Sequence, residues 1–322
     1  MPLIRKSTYR APLFLNNGHL QTIFPSLFRR VPGVSYQRQQ IFTPDGDFLD
    51  LDWSVVGGTK LAIISHGLEG SSQREYVRGM VRAVNRRGRD ALAWNMRGCG
   101  GRSNHKPRFS HSGASEDLHA VVEHVRCHCQ YQAVMLLGFS LGGNMTLKYL
   151  GEEGKRLWPG IKGAVVFSVP CDLAGSACRI SQWQNRIYQR RFLRLLHKRI
   201  KAMKEVLPEE INDDGYEKIR TLQDFDDRYT APLHGFQDAR DYWRQSSCNR
   251  FLPLIQVPAL LVNAGNDPFL SASCYPVEAA RQNGNLYLEV PQSGGHVGFV
   301  AFGQTGEYWS EWRAVTFMKR IC

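Results

Sequence analysis

Apolar and polar residues change their spacing several times along the chain, and each change marks an element. Residues 36–43 and 48–55 alternate around Pro44-Asp45-Gly46-Asp47, which predicts a β-hairpin. Residues 61–65, 91–95, 133–137, 163–167, 259–263 and 286–290 are short apolar runs, long enough for buried strands and too short for helices. Helical spacing appears between them, at about 74–85, 114–129, 275–281 and 307–319. Strands alternating with helices predict an α/β fold, a mainly parallel central sheet with helices on both faces. From Cys171 to about Arg250 the alternation gives way to charged, Tyr- and Trp-rich helical pattern. The prediction is therefore a core of residues 36–170 and 251–322, with residues 171–250 inserted as a helical cap over the carboxyl ends of the strands. Residues 1–35 are expected to be irregular and to pack on the core.

Chemistry enters where the run at 133–137 ends. Gly138-Phe139-Ser140-Leu141-Gly142 is G-x-S-x-G, and helix-forming residues follow from Asn144. A serine on so sharp a strand-to-helix turn is pushed out of the end of the sheet. Gly138 and Gly142 are needed there because a Cβ would collide with neighbouring backbone. The helix behind it points N–H groups toward charge developing during acyl transfer. In an open parallel sheet, ligands sit at the carboxyl ends of the strands. Downstream of Ser140, Asp267 follows the run at 259–263 and His296 follows the run at 286–290. The order Ser, Asp, His is the one expected of an α/β-hydrolase.

The roles follow from that chemistry. Ser140 is the candidate nucleophile, His296 the base that takes its proton, and Asp267 the carboxylate that fixes the imidazole tautomer. The oxyanion donors should be the N–H groups of Leu141, just after the serine, and Leu68, in the loop after the run at 61–65. His66 and Gly67 support that loop, and His66 is too early in the chain for the base.

Composition narrows the setting. The chain has 322 residues, 43% of them hydrophobic, which is ample for a large core. Its eight cysteines are scattered without framework spacing, which suits free thiols in a reducing compartment. No apolar run approaches the ~18 residues of a membrane helix, and no secretory signal is present, so a cytoplasmic protein is expected. The net charge of +12 favours anionic partners generically. Residues 186–204 form an amphipathic basic stretch, with Tyr188, Phe192, Leu195, Leu196, Ile200 and Met203 at helical spacing. Either this helix packs on the core with a solvated basic face, or it makes peripheral contact with an anionic membrane. Basic residues interleaved with exposed aromatics on a recognised module are absent, which argues against nucleic acid. His124, Cys127, His128 and Cys129 lie at spacings that do not converge on a helix, so no metal is expected, and the chemistry needs no cofactor. Arg97-Gly98-Cys99-Gly100-Gly101 is expected to shape the pocket wall, and His19 and Gln21 to make structural contacts.

Several stretches together resemble the YheT-like branch of the α/β-hydrolases, grouped with plant EMB8-like proteins and membrane-anchored animal lipid hydrolases. They are N-G-H-L-Q-T-I at 17–23, S-H-G-L-E-G-S at 65–71, N-M-R-G-C-G-G at 95–101 and H-S-G-A-S-E-D-L at 111–118. G-F-S-L-G-G-N at 138–144, N-D-P-F at 266–269 and G-G-H-V-G-F at 294–299 complete the set. The resemblance spans nearly the whole chain and implies Ser140, Asp267 and His296 as a triad with ester-hydrolase activity. Two features depart from it: Asn266 stands where relatives commonly carry a first acid, and the animal members' membrane helix has no counterpart here. The expected function is hydrolysis of small- to medium-chain acyl esters. The alternatives are a lipid or phospholipid hydrolase or acyltransferase at anionic membranes, or a non-catalytic binding protein on the same scaffold.

Overall fold

The computed structural model describes residues 3–303 and 305–322. Nine strands among them form one sheet: β1 (Leu3–Ile4), β2 (Gln37–Phe42), β3 (Phe48–Ser54), β4 (Lys60–Ser65), β5 (Asp90–Asn95), β6 (Ala133–Phe139), β7 (Ile161–Phe167), β8 (Ala259–Val262) and β9 (Leu286–Glu289). Their order is β1-β9-β8-β7-β6-β4-β5-β3-β2. The hairpin β2–β3 is antiparallel, as is β3 to β5, and the other pairings are parallel.

Period-2 alternation divides the central strands between two cores. Leu61 and Ile63 of β4, with Val134 and Leu136 of β6, pack against α3 (Ser115–His128) and α4 (Leu141–Glu153). Ala62, Ile64, Met135 and Leu137 face the other way, against α2 (Glu75–Asn85) and α11 (Trp309–Ile321). Each large apolar side chain buried this way is worth about 1.5–3 kcal/mol, so the sheet is a rigid platform. A last small helix, α10 (Val277–Gln282), lies between β8 and β9 in sequence.

Between β7 and β8 the chain runs through α5 (Leu173–Ser181), α6 (Arg186–Val206), α7 (Leu222–Phe225), a π-helical turn at Asp226–Thr230, α8 (Ala231–Leu233) and α9 (Ala239–Ser246). Leu193, Leu196, Ile200 and Met203 of α6 join Phe109, Tyr216 and Phe225 in a core of their own. The buried face of α6 differs from the expected one. Leu193 and Arg199 are buried, while Phe192 and Leu195 are only half-buried.

The N-terminal stretch corrects the sequence reading. Residues 1–35 are not irregular throughout: Gly18–Phe28 is a helix, α1, whose Asn17 cap accepts from the N–H groups of His19 and Leu20. Gly18 and Pro25 read as helix breakers. Tertiary contacts overcome them: Gln21 is buried, bonded to the Leu15 carbonyl and accepting from Tyr9 Oη at 3.0 Å.

Candidate active site

Ser140 stands between the end of β6 and the start of α4, with φ +52° and ψ −120°. A non-glycine residue rarely adopts that conformation, and it persists only where its surroundings impose it. They do so through contact distances. A Cβ on Gly138 would meet Gly142 O and Gly143 Cα at 2.7 Å, and a Cβ on Gly142 would overlap the carbonyls of Ser65 and His66. Both glycines of the motif are thus required by close approach of backbone.

His296 reaches this serine from the loop after β9. Its Nε2 lies 2.9 Å from Ser140 Oγ, and its Nδ1 lies 2.9 Å from Asp267 Oδ2 and 3.2 Å from Oδ1. Asp267 is buried after β8, and its Oδ1 also accepts the Phe269 N–H at 2.9 Å. Carboxylate, imidazole and hydroxyl in this sequence allow the hydroxyl proton to pass to Nε2 while the carboxylate stabilises the imidazolium.

The other expected residues lie close by. His66 Nε2 accepts the Met96 N–H at 3.1 Å, so its proton is on Nδ1, which donates to the Gly67 carbonyl at 2.8 Å. Burial pushes its pKa down to about 4, which keeps the ring neutral. The Gly67 N–H donates to Tyr76 Oη at 2.9 Å. The N–H groups of Leu68 and Leu141 donate to no other described residue, and both residues line the cavity beside Ser140.

Several supports escaped the sequence reading. Thr22 Oγ1 accepts the His296 N–H at 2.9 Å, so α1 holds the histidine loop. A Cβ on Gly18 would overlap the Asn266 carbonyl, and one on Gly298 would overlap that of Gln21. The motif at 17–23 was the visible signal, but its partner lies at the other end of the chain. Ser168, itself at φ +55°, accepts the Val297 N–H at 2.8 Å. Arg199 reaches from α6 to Glu69 beside the Leu68 loop, with Nε 2.7 Å from Oε1, and donates to the Arg97 carbonyl at 2.6 Å. The Arg97 loop is not among the walls around Ser140. Its guanidinium is tied to Asp45, Asp47 and Asp117 instead.

Two spaces meet at Ser140 and His296. One is a cavity of about 120 Å³, with Leu173, Ala177, Ile180 and Phe225 among its apolar lining and His111, Asp226 and Thr230 among its polar lining. Asp226 accepts from Thr230 Oγ1 at 2.6 Å and Trp243 Nε1 at 2.8 Å, and burial pushes its pKa up to about 7. The other is an open cleft between α1 and α6, bordered by Thr22, Ile23, Arg74, Tyr188 and Arg191. Phe192 and Phe269 line both. No helix among the described residues is long and apolar enough to cross a membrane.

A serine elbow at the end of a mainly parallel sheet, with Asp and His delivered behind two later strands, defines the α/β-hydrolases. The family described as serine aminopeptidase, S33, matches residues 59–281, and the chain belongs to that family, in its YheT-like branch. YheT of Escherichia coli (strain K12), an esterase by name, is 35% identical over 293 residues, which cover 88% of this chain and 85% of that protein. Phospholipase ABHD3 of Mus musculus is 30% identical over 305 residues, 91% of this chain and 73% of the relative. Among solved structures, the Pyrococcus furiosus esterase PF2001 has a TM-score of 0.61 at 20% identity, covering 91% of this chain and 97% of the other. That likeness speaks to the fold.

Proposed function

We propose that the protein hydrolyses carboxylic esters through an acyl-enzyme on Ser140. The observation that carries this reading is the hydrogen-bonded line from Asp267 through His296 to Ser140, with 2.9 Å on each side of the imidazole. Ser140 Oγ attacks the ester carbonyl carbon while its proton passes to His296 Nε2. The carbonyl oxygen becomes an oxyanion held by the Leu68 and Leu141 N–H groups, each worth about 3 kcal/mol of barrier. The intermediate collapses, the ester C–O bond breaks, and His296 returns the proton to the departing alcohol. Water then repeats the sequence on the acyl-enzyme and frees the acid. Asp267 stays ionised throughout and keeps Nδ1 protonated.

In this reading residues 171–250 form a cap on a core of 36–170 and 251–322, with residues 1–35 packed on that core. The cavity lined by α5, α6 and the π-helical turn holds the acyl group. Its limited size and mainly apolar lining suit small- to medium-chain acids. The open cleft receives the alcohol portion. Arg74 and Arg191 on that side favour, as the second reading, a lipid whose headgroup carries negative charge. The name of the murine relative, a phospholipase, agrees with this.

The test is turnover of p-nitrophenyl esters from acetate to palmitate, beside a Ser140→Ala control and fluorophosphonate labelling. Wild type should turn over at least one ester and take the label. Ser140→Ala should lose the label and at least about a thousandfold in rate. A short-chain preference supports the first reading, and a long-chain preference the second. Equal rates in both proteins, or neither turnover nor labelling, would overturn the mechanism and leave a binding role on the hydrolase scaffold. An added alcohol that diverts product into a new ester would reveal acyl transfer.

A further inference from the structure

Helix α1 is built inside out. Leu20, Ile23, Phe24, Leu27 and Phe28 recur at i, i+3, i+4, i+7 and i+8, the spacing of one helix face. In a globular protein such a stripe ordinarily faces the core. Here Leu20, Ile23, Leu27 and Phe28 are exposed, Phe28 at 67%, and Gln21 is the one fully buried residue of the helix. The small and polar residues face the protein instead. Gly18 lies against Asn266, Gln21 bonds Tyr9, and Thr22 accepts from His296. Beyond the helix, Phe302 extends the apolar surface. It stacks on Phe14 at 5.9 Å and meets Phe24 edge-on at 6.0 Å, and both Phe14 and Phe302 are more than half exposed. A contiguous exposed apolar patch marks an interaction surface, whereas scattered exposed residues do not.

Charge beside the patch points to what covers it. His19 of α1 stacks on Tyr188 of α6, Nδ1 to Oη 3.2 Å, so the two helices flank one opening. On the outer side of α6, Ile187 is 76% exposed, and Arg191 and Arg194 follow it one and two turns on. Arg186, Arg190, Arg191 and Arg194 are exposed and pair with no carboxylate among the described residues. Trp183, 80% exposed, lies just before α6. An apolar stripe flanked by unpaired arginines and an exposed tryptophan is the chemistry of a helix lying in the headgroup boundary of an anionic bilayer. A second copy fits less well, because two chains of net charge +12 would set their arginine-rich faces together.

We infer that α1, with Phe14, Phe302 and the N-terminal half of α6, docks the protein on anionic lipid surfaces with the cleft to Ser140 turned toward the membrane. The contact is independent of the proposed chemistry, so Ser140→Ala protein should dock as wild type does. The experiment is flotation with vesicles of equal parts phosphatidylcholine and phosphatidylglycerol, compared with phosphatidylcholine alone. Wild type should float with the anionic vesicles, less with neutral ones, and less as salt rises. Leu27→Ser/Phe28→Ser should reduce partitioning at least about tenfold. The same variant should keep p-nitrophenyl acetate turnover within about twofold, since both side chains are exposed and line neither space at Ser140. Arg190→Gln/Arg194→Gln should lose the preference for anionic vesicles. The inference is overturned if wild type floats with neither vesicle, or if the Leu27/Phe28 variant floats undiminished. It is equally overturned if wild type is a dimer without vesicles and that variant a monomer, because a second copy then covers the face.

Discussion

Asn266 shows how one atom sets the geometry next to the proposed triad. Its Oδ1 accepts the Gly295 N–H at 3.0 Å and its Nδ2 donates to the Asn16 carbonyl at 3.0 Å, tying the Asp267 loop to the His296 loop and to the N-terminal segment. A carboxylate cannot make the second bond. Asn266→Asp should therefore loosen the Asp267 loop from the N-terminal segment and lower kcat/KM on a soluble ester by about tenfold. An unchanged rate would refute this. Gly18 presents a steric version of the same constraint. Any Cβ there overlaps the Asn266 carbonyl, so Gly18→Ala must displace either α1 or the loop carrying Asp267. Misplacement of about 1 Å should lower kcat/KM by about ten- to a hundredfold while the far-UV circular dichroism stays unchanged.

At the scale of elements, α6 is joined to the core by a buried ion pair. The side chains of Arg199 and Glu69 are 5% and 9% exposed, and Arg199 also donates to the Arg97 carbonyl and to Cys99 Sγ. Removing one partner leaves the other charge buried without compensation. Arg199→Ala should therefore cost about 3–5 kcal/mol in urea unfolding. Glu69→Ala/Arg199→Ala should cost less than the sum of the single changes, by about 1–3 kcal/mol, because the pair couples. Strict additivity would mean the pair contributes nothing. Glu69 is at φ +51° directly after Leu68, so the same pair holds the loop proposed to carry an oxyanion donor.

For the molecule as a whole, buried titrating groups set the response to acid. His66 is folded in neutral form, with its pKa lowered by burial from 6.5 to about 4, and burial pushes His111 down as well. Between those two values the unfolded chain binds a proton that the folded one refuses. The His66 contribution to stability is thus fully present above pH 6.5 and falls as pH drops toward 4, by roughly 3 kcal/mol. Asp226 has the opposite sign: its carboxyl is raised from 3.8 to about 7, so its contribution declines as pH rises across that range. Asp226→Asn should accordingly make the loss of stability on acidification steeper, which urea titrations at pH 7 and pH 4 would measure. At this scale the division between sequence and structure is plain. The strand–helix alternation, the hairpin β2–β3 and the turn at Ser140 are local patterns of period and glycine placement, so the chain alone determines them. The placement of Asp267 in the loop after β8 and of His296 in the loop after β9 is legible for the same reason, since the carboxyl ends of parallel strands lie along one edge of the sheet. What the chain could not reveal is which distant surfaces meet. The Thr22–His296 bond spans 274 residues. Arg199 is buried where Glu69, the Arg97 carbonyl and Cys99 meet it, and α1 is a helix despite Gly18 and Pro25 because Tyr9, Asn266 and the loop at 294–298 receive its polar side. Period tells that a helix has two faces, and only packing decides which of them turns outward.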